Sequence, residues 1–130
     1  LKLVFPYPPS VNRMWRSYVP KGWKRAIVVL TPEAKAYKEQ VGWMAKEQGV
    51  RKLLTGPVEI RLMLVPKNRV CMDLSNCWKV AEDALNGIVY GDDAQVFKII
   101  AERADPDPTG ARLEVEILPL ALPMALEQAA

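Results

Sequence analysis

The stretch from Asp73 to Asp93 constrains this chain's fold more than any other, because it begins and ends in carboxylates around one amphipathic helix. At 3.6 residues per turn, Asn76, Lys79 and Asp83 fall on one face and Leu74, Trp78, Ala81 and Leu85 on the opposite one. Asp73 or Ser75 can cap its start. Gly87 stands just past its end, where a left-handed stop is easiest. Ile88-Val89-Tyr90 and a Gly91 turn then lead to Asp92 and Asp93. A fold-back there would bring these two acids to Asp73 beside Lys79. Carboxylates gathered with a lysine are what a magnesium site acting on phosphate requires, since Mg²⁺ takes one or two carboxylates and accepts phosphate oxygens. The plainer reading makes the same acids a helix-dipole partner and turn residues.

The remaining elements read in order. Leu1, Leu3 and Phe5 alternate as a short first strand, and Pro6, Pro8 and Pro9 then forbid ladder bonding and helix. Ser10 to Gly22 reads as a long loop, followed by a short apolar strand over 26–30. Thr31-Pro32-Glu33 opens a helix by a capping hydroxyl, a proline at the first position and an acid. That helix should run to about Gln48 and stop at Gly49, burying Tyr37, Val41 and Met44. Gly42 should mark a close contact, and Trp43 lies off the stripe, covering a core edge or meeting a second subunit. Val58, Ile60, Leu62 and Leu64 alternate inward against Glu59, Arg61 and Met63. Residues 96–104 and 112–118 read as two further strands, both apolar faces of the first being covered. Joined by a turn-rich loop, they suggest an antiparallel hairpin. Runs of strands with two helices imply an α+β fold, a small mixed sheet with both main helices on one face. The domain should span residues 1–118, with 119–130 an apolar tail.

Composition narrows the chemistry. The chain has 130 residues, half of them hydrophobic, which suits one globular domain. No apolar run reaches membrane-span length, no signal-peptide pattern stands at Leu1, and the expected location is cytoplasmic. There is no histidine, so neither a Ser-His nor a Cys-His nucleophile can be built. Cys71 and Cys77 alone make no zinc site and read as small buried residues. A hydrolase made from this chain must therefore activate water with a metal, a carboxylate or a lysine, and a metal suits phosphodiesters because it acidifies water and neutralises phosphate. The net charge is only +3, but residues 1–30 carry Lys2, Arg13, Arg16, Lys21, Lys24 and Arg25 with no acid. An acid-free basic segment favours a polyanionic partner. Its cations suit phosphates and its aromatic residues suit unpaired bases. The alternative has Trp15 and Tyr18 plugging the core while the cations face water. Lys67 and Arg69 precede Asp73 in a loop, placed to hold phosphates or simply solvated.

The run Asp73-Leu74-Ser75-Asn76, then Lys79, Asp83-Ala84-Leu85 and Asp92-Asp93-Ala94-Gln95-Val96, resembles the core of RusA-type Holliday-junction resolvases. Pro8-Pro9-Ser10-Val11-Asn12-Arg13-Met14-Trp15-Arg16 resembles the same family's opening motif, and the similarity extends from about Phe5 to about Ile117. The resemblance implies an intertwined homodimer that cuts four-way DNA junctions with Mg²⁺, or Mn²⁺ in its place. It implies Asp73 and Asp93 as metal ligands, Asp92 as a third ligand or neighbour, and Lys79 as the lysine that stabilises charge on the phosphate or leaving oxygen. Ser75, Asn76 and Asp83 would support these groups, Asp83 by orienting Lys79. Asn12, Arg13, Arg16, Lys21, Lys24, Arg25, Lys67 and Arg69 become the expected DNA contacts. Two positions depart from the family's best-known pattern. Ser75 stands where a second aspartate would fall, and Met72 where a basic residue is common. The first departure keeps open a catalytically weakened dimer that binds branched DNA without cutting it. A third reading is an assembly protein whose acidic face is structural, with no salt-dependent affinity for nucleic acid.

Overall fold

The structure, a computed structural model, describes residues 1–10 and 15–120. Its elements are β1 (Lys2–Pro6), β2 (Trp15–Tyr18), β3 (Ile27–Leu30), α1 (Pro32–Glu47), β4 (Val58–Val65), α2 (Leu74–Leu85), β5 (Val96–Arg103) and β6 (Arg112–Pro119). One four-stranded sheet takes the order β1-β6-β4-β5, while β2 and β3 form a separate antiparallel pair. Within the large sheet β6 is antiparallel to both β1 and β4, whereas β5 runs parallel to β4. The sheet is therefore mixed, and with two helices the fold is α+β as expected.

Period-two alternation decides which sheet face is buried. Leu3 and Phe5 of β1, Val58, Ile60, Leu62 and Leu64 of β4, and Leu113, Val115 and Ile117 of β6 form the inner face. Ala34, Tyr37, Val41 and Ala45 of α1 and Cys77, Val80, Ala81, Ala84 and Leu85 of α2 complete the core. Leu1, expected inward, is exposed. On α1, Ala34 and Ala45 carry the stripe with Tyr37 and Val41, and Met44 is only half-buried. Thr31 Oγ1 caps that helix by accepting from Ala34 N, and Gly49, at φ +102°, follows its end. Tyr37 Oη donates to Pro6 O at 2.9 Å, tying α1 to β1. Gln48 covers the free edge of β1, accepting from Val4 N at 2.7 Å and donating to Val4 O at 2.8 Å.

Two expectations about strand pairing fail here. The strands over 96–104 and 112–118 do not pair as a hairpin. β5 pairs parallel to β4, and the connection between them contains α2, the kind of crossover that parallel pairing requires. That crossover fills one edge of β4, and β6 returns to fill the other, between β4 and β1. Nor are both faces of β5 covered, since Lys98 is exposed and Phe97 is 55% exposed. The second failure is the loop from Ser10 to Gly22, which contains β2, with Trp15 opposite Leu30 and Tyr18 opposite Ile27. The prolines end at Pro9 and resume at Pro20, leaving a stretch free to pair.

The outer sheet face is polar, yet Glu59, expected in solvent, is only 5% exposed. Arg61 Nε lies 2.6 Å from its carboxylate and Lys98 Nζ 3.4 Å. The Arg61 hydrogen bond, followed by that of Lys98, outweighs burial and holds the Glu59 carboxyl below its ordinary range.

Candidate functional site

The helix that organises the site is α2, and its two ends carry different acids. Asp73 takes the N-cap position, and its carbonyl accepts from Cys77 N at 3.0 Å. Its side chain makes no capping hydrogen bond and is exposed, so the carboxylate is free for a ligand at the positive end of the helix dipole. Ser75 is not the cap; it lies within the first turn, exposed, and Asn76 beside it is half-buried. Lys79 is exposed midway along the helix. The buried face differs from the expected one. Trp78 is 38% exposed, and Cys77, Val80 and Ala84 are buried with Ala81 and Leu85. Gly87, at φ +80°, follows the helix as its spacing predicts.

Asp92 and Asp93 differ from each other. Asp92 caps a single 3-10 turn over Asp93–Gln95, its Oδ1 accepting from Ala94 N at 3.0 Å. Gln95, which sequence reasoning passed over as a member of a motif, holds this turn. Its Oε1 accepts from Gly91 N at 2.8 Å and Asp92 N at 3.0 Å, and its Nε2 donates to Leu54 O at 2.8 Å and Gly56 O at 2.9 Å. Asp93 is half-buried, and its Oδ1 is buried with no hydrogen-bond partner among the described residues. A buried, unpartnered carboxylate oxygen is costly in an apolar setting. It fits a position that a hard cation would complete, since such cations bind oxygen ligands.

Asp93 shares a groove of about 280 Å³ with Trp78, Glu82 and Phe97. Burial first, and Asp93 second, push the carboxyls of Glu82 and Asp83 above their ordinary range. The same two causes raise the Tyr90 hydroxyl, which donates to Glu82 O at 3.1 Å. The cation that bears on Asp83 is Lys38 of α1 rather than Lys79. Asp93 therefore sits beside the later turns of α2. Asp73 begins that helix, whose 12 residues extend about 18 Å. Among the described residues, no group of three or more acids, cysteines or histidines is placed within this one chain to hold a metal. The fold-back after Gly91 brings Asp93 to α2, but to its far end.

Tyr7 is the other residue that motif reading missed. Its Oη accepts from Met72 N at 3.0 Å and donates to Cys71 Sγ at 3.8 Å, fixing the backbone just before Asp73. Cys71 is half-buried and Cys77 buried, both as free thiols, and burial pushes the Cys77 thiol up to about 12. Lys67 and Arg69 are exposed in the loop that ends at Asp73, and Lys21, Lys24 and Arg25 are exposed between β2 and β3. Arg16 lies in β2, while Asn12 and Arg13 fall outside the described residues.

Residues 6–118 match the family model described as endodeoxyribonuclease RusA. The chain is 33% identical over 116 residues to the crossover junction endodeoxyribonuclease RusA of Escherichia coli strain K12, covering 88% of this chain and 91% of that protein. It is 32% identical over 116 residues to the protein of the same description from Enterobacteria phage 82, with the same coverage. A more distant relative, from Escherichia coli O139:H28, is 29% identical over 118 residues.

Proposed function

Because the chain belongs to the RusA endodeoxyribonuclease family, we propose that it is a Mg²⁺-dependent, structure-selective endodeoxyribonuclease that resolves four-way DNA junctions by paired phosphodiester hydrolysis. The observation that carries this reading is the match over residues 6–118 to relatives named crossover junction endodeoxyribonucleases. The unpartnered Asp93 Oδ1 and the uncommitted Asp73 carboxylate support the assignment of both as metal ligands. When bound, the ion supplies a more acidic water and charge neutralisation at the phosphate. Asp73 and Asp93 would hold it. Lys79 reaches from the exposed face of α2 to steady charge on the phosphate or the leaving oxygen. Asp92 sets the backbone under Asp93 through its cap and would lend its charge to the same ion. Asp83, Ser75 and Asn76 flank these groups. Lys67 and Arg69, with the cations near β2 and β3, take flanking phosphates.

The acids at opposite ends of α2 give the dimer a specific form. Asp73 and Asp83 are equidistant in sequence from Trp78, which is exposed and lines one groove with Phe97. Two α2 helices crossing antiparallel about Trp78 carry Asp73 of one subunit to the Glu82–Asp93 end of the other. Each of two symmetric sites then draws one carboxylate from each subunit, and paired cuts follow from the twofold axis.

The test is incubation of the purified protein with a labelled four-way junction, with and without Mg²⁺ or Mn²⁺. Wild-type protein should give paired nicks only with the ion, and Asp73→Asn should lose cleavage by at least about a hundredfold, the scale on which charge-stabilising groups act, while still binding the junction. Ion-dependent nicking that survives in Asp73→Asn overturns the ligand assignment. Ser75 favours a second reading, a dimer that binds branched DNA with weakened catalysis. Stable binding without product under either ion supports it, and a gain of cleavage in Ser75→Asp locates the defect.

A further inference from the structure

The surface at the end of α1 has no role in the site above. Trp43, expected to cover a core edge or to meet a second subunit, covers no core edge: it is 63% exposed there, with Lys46 Nζ 5.4 Å from its ring centroid. The ring borders a groove of about 460 Å³ lined also by Lys46, Arg51, Lys52 and the half-exposed Leu53. Glu39 is the one acid among the described residues that line it. Arg51 is held in place, since its Nη1 donates to Lys46 O at 3.2 Å. Gly87 and Ile88, which also line it, belong to the segment that runs on to Asp92.

An exposed indole at a groove lined by three cations favours one kind of occupant. A second copy of this chain placed there about a twofold axis would set Lys46, Arg51 and Lys52 against the same three charges, which is unfavourable. Duplex DNA offers the phosphates but keeps the faces of its bases stacked inside. A single strand offers both phosphates and free π-faces, the combination that aromatic side chains in basic grooves bind. We propose that this groove binds a single-stranded stretch of DNA, with a base against Trp43 and flanking phosphates on Lys46, Arg51 and Lys52. The proposal rests on the branched-DNA reading and deepens it: branched substrates bearing a single-stranded arm gain a second anchor, joined by the chain to the acids.

The experiment compares equilibrium binding of two labelled junctions, one fully duplex and one with an oligo-dT single-stranded arm. Wild-type protein binds the armed junction more tightly, by about tenfold for one stacked base. Trp43→Ala removes that preference, and Trp43→Phe restores most of it. Arg51→Ala with Lys52→Ala weakens binding of the armed junction and makes its salt slope shallower by about 1.4, the value for two phosphates of a single strand. None of these variants changes affinity for the fully duplex junction or its cleavage. Equal wild-type affinity for the two junctions overturns the proposal, as does a preference that persists in Trp43→Ala. A shift of oligomeric state in Trp43→Ala on sedimentation also overturns it, marking a subunit contact instead. Failure of wild-type protein to bind either junction sinks the branched-DNA reading itself, an outcome distinct from equal binding to both.

Discussion

Asp93 brings a buried oxygen without a partner to the side of Glu82 and Asp83, whose carboxyls are already raised, first by burial and then by Asp93. A carboxyl whose folded pKa exceeds its unfolded one contributes stability below the ordinary range, near pH 4, and loses it as pH rises through the folded value. In EDTA the wild-type Tm should therefore fall between about pH 4 and pH 7 more than these groups' ordinary values allow. Asp93→Asn removes the second cause of the shift, so its Tm should fall less, and the gap between the two proteins should widen with pH. Parallel curves across that range would remove Asp93 from the electrostatics of α2. Divalent ion should raise the wild-type Tm and leave that of Asp93→Asn unmoved. At this scale Asp73, Lys79, Asp92 and Asp93 were legible in sequence as candidates, being charged groups on and beside one amphipathic helix. Gln95 and Tyr7 were not. The first finds its carbonyl partners near residue 55 and the second its amide at Met72, partners that only the folded chain brings near.

Elements whose ends are set locally were legible for the same reason that long-range pairings were not. The capping threonine and first-position proline of α1 act within one turn, and the helix lies where they place it. Alternation likewise assigned the inward residues of β4 and β6. Which strands neighbour which was not legible, because β5 and β6 are adjacent in sequence yet lie on opposite edges of β4. The deciding fact, that α2 is a crossover, concerns three elements at once. The burial of Glu59 has a similar origin, since it depends on Arg61 of its own strand and Lys98 of the neighbour. Gly42 gives a test of packing at this level. It sits inside α1, where glycine is about 0.5–1 kcal/mol worse than alanine. The nearest atom to an added Cβ is the tip of Ile88, at 3.4 Å, an ordinary contact with a flexible side chain. Gly42→Ala should accordingly stabilise the protein by about 0.5–1 kcal/mol in urea unfolding. A loss of stability would show that the approach of Ile88 to α1 is rigid.

For the whole molecule, the separation of Asp73 from Asp93 along α2 makes the proposed sharing of sites between two subunits testable. If each site takes Asp73 from one subunit and Asp93 from the other, Asp73→Asn and Asp93→Asn homodimers are each inactive, both sites lacking one ligand. In a mixed dimer the two losses coincide. One site combines both substitutions, while the other combines the intact Asp93 of the Asp73→Asn subunit with the intact Asp73 of the Asp93→Asn subunit. Mixing and re-equilibrating the two inactive proteins should therefore restore Mg²⁺-dependent cutting, to roughly a quarter of the wild-type sites if subunits assort at random among symmetric dimers. Each mixed dimer should leave a single nick per junction in place of two, so nicked intermediate accumulates instead of resolved duplexes. Sites built within one subunit predict the reverse: every site in every mixture lacks one carboxylate, and mixing restores nothing. Because both variants keep Lys79, the exposed basic loops and the fold, junction binding measured alongside separates a failure of chemistry from a failure of assembly.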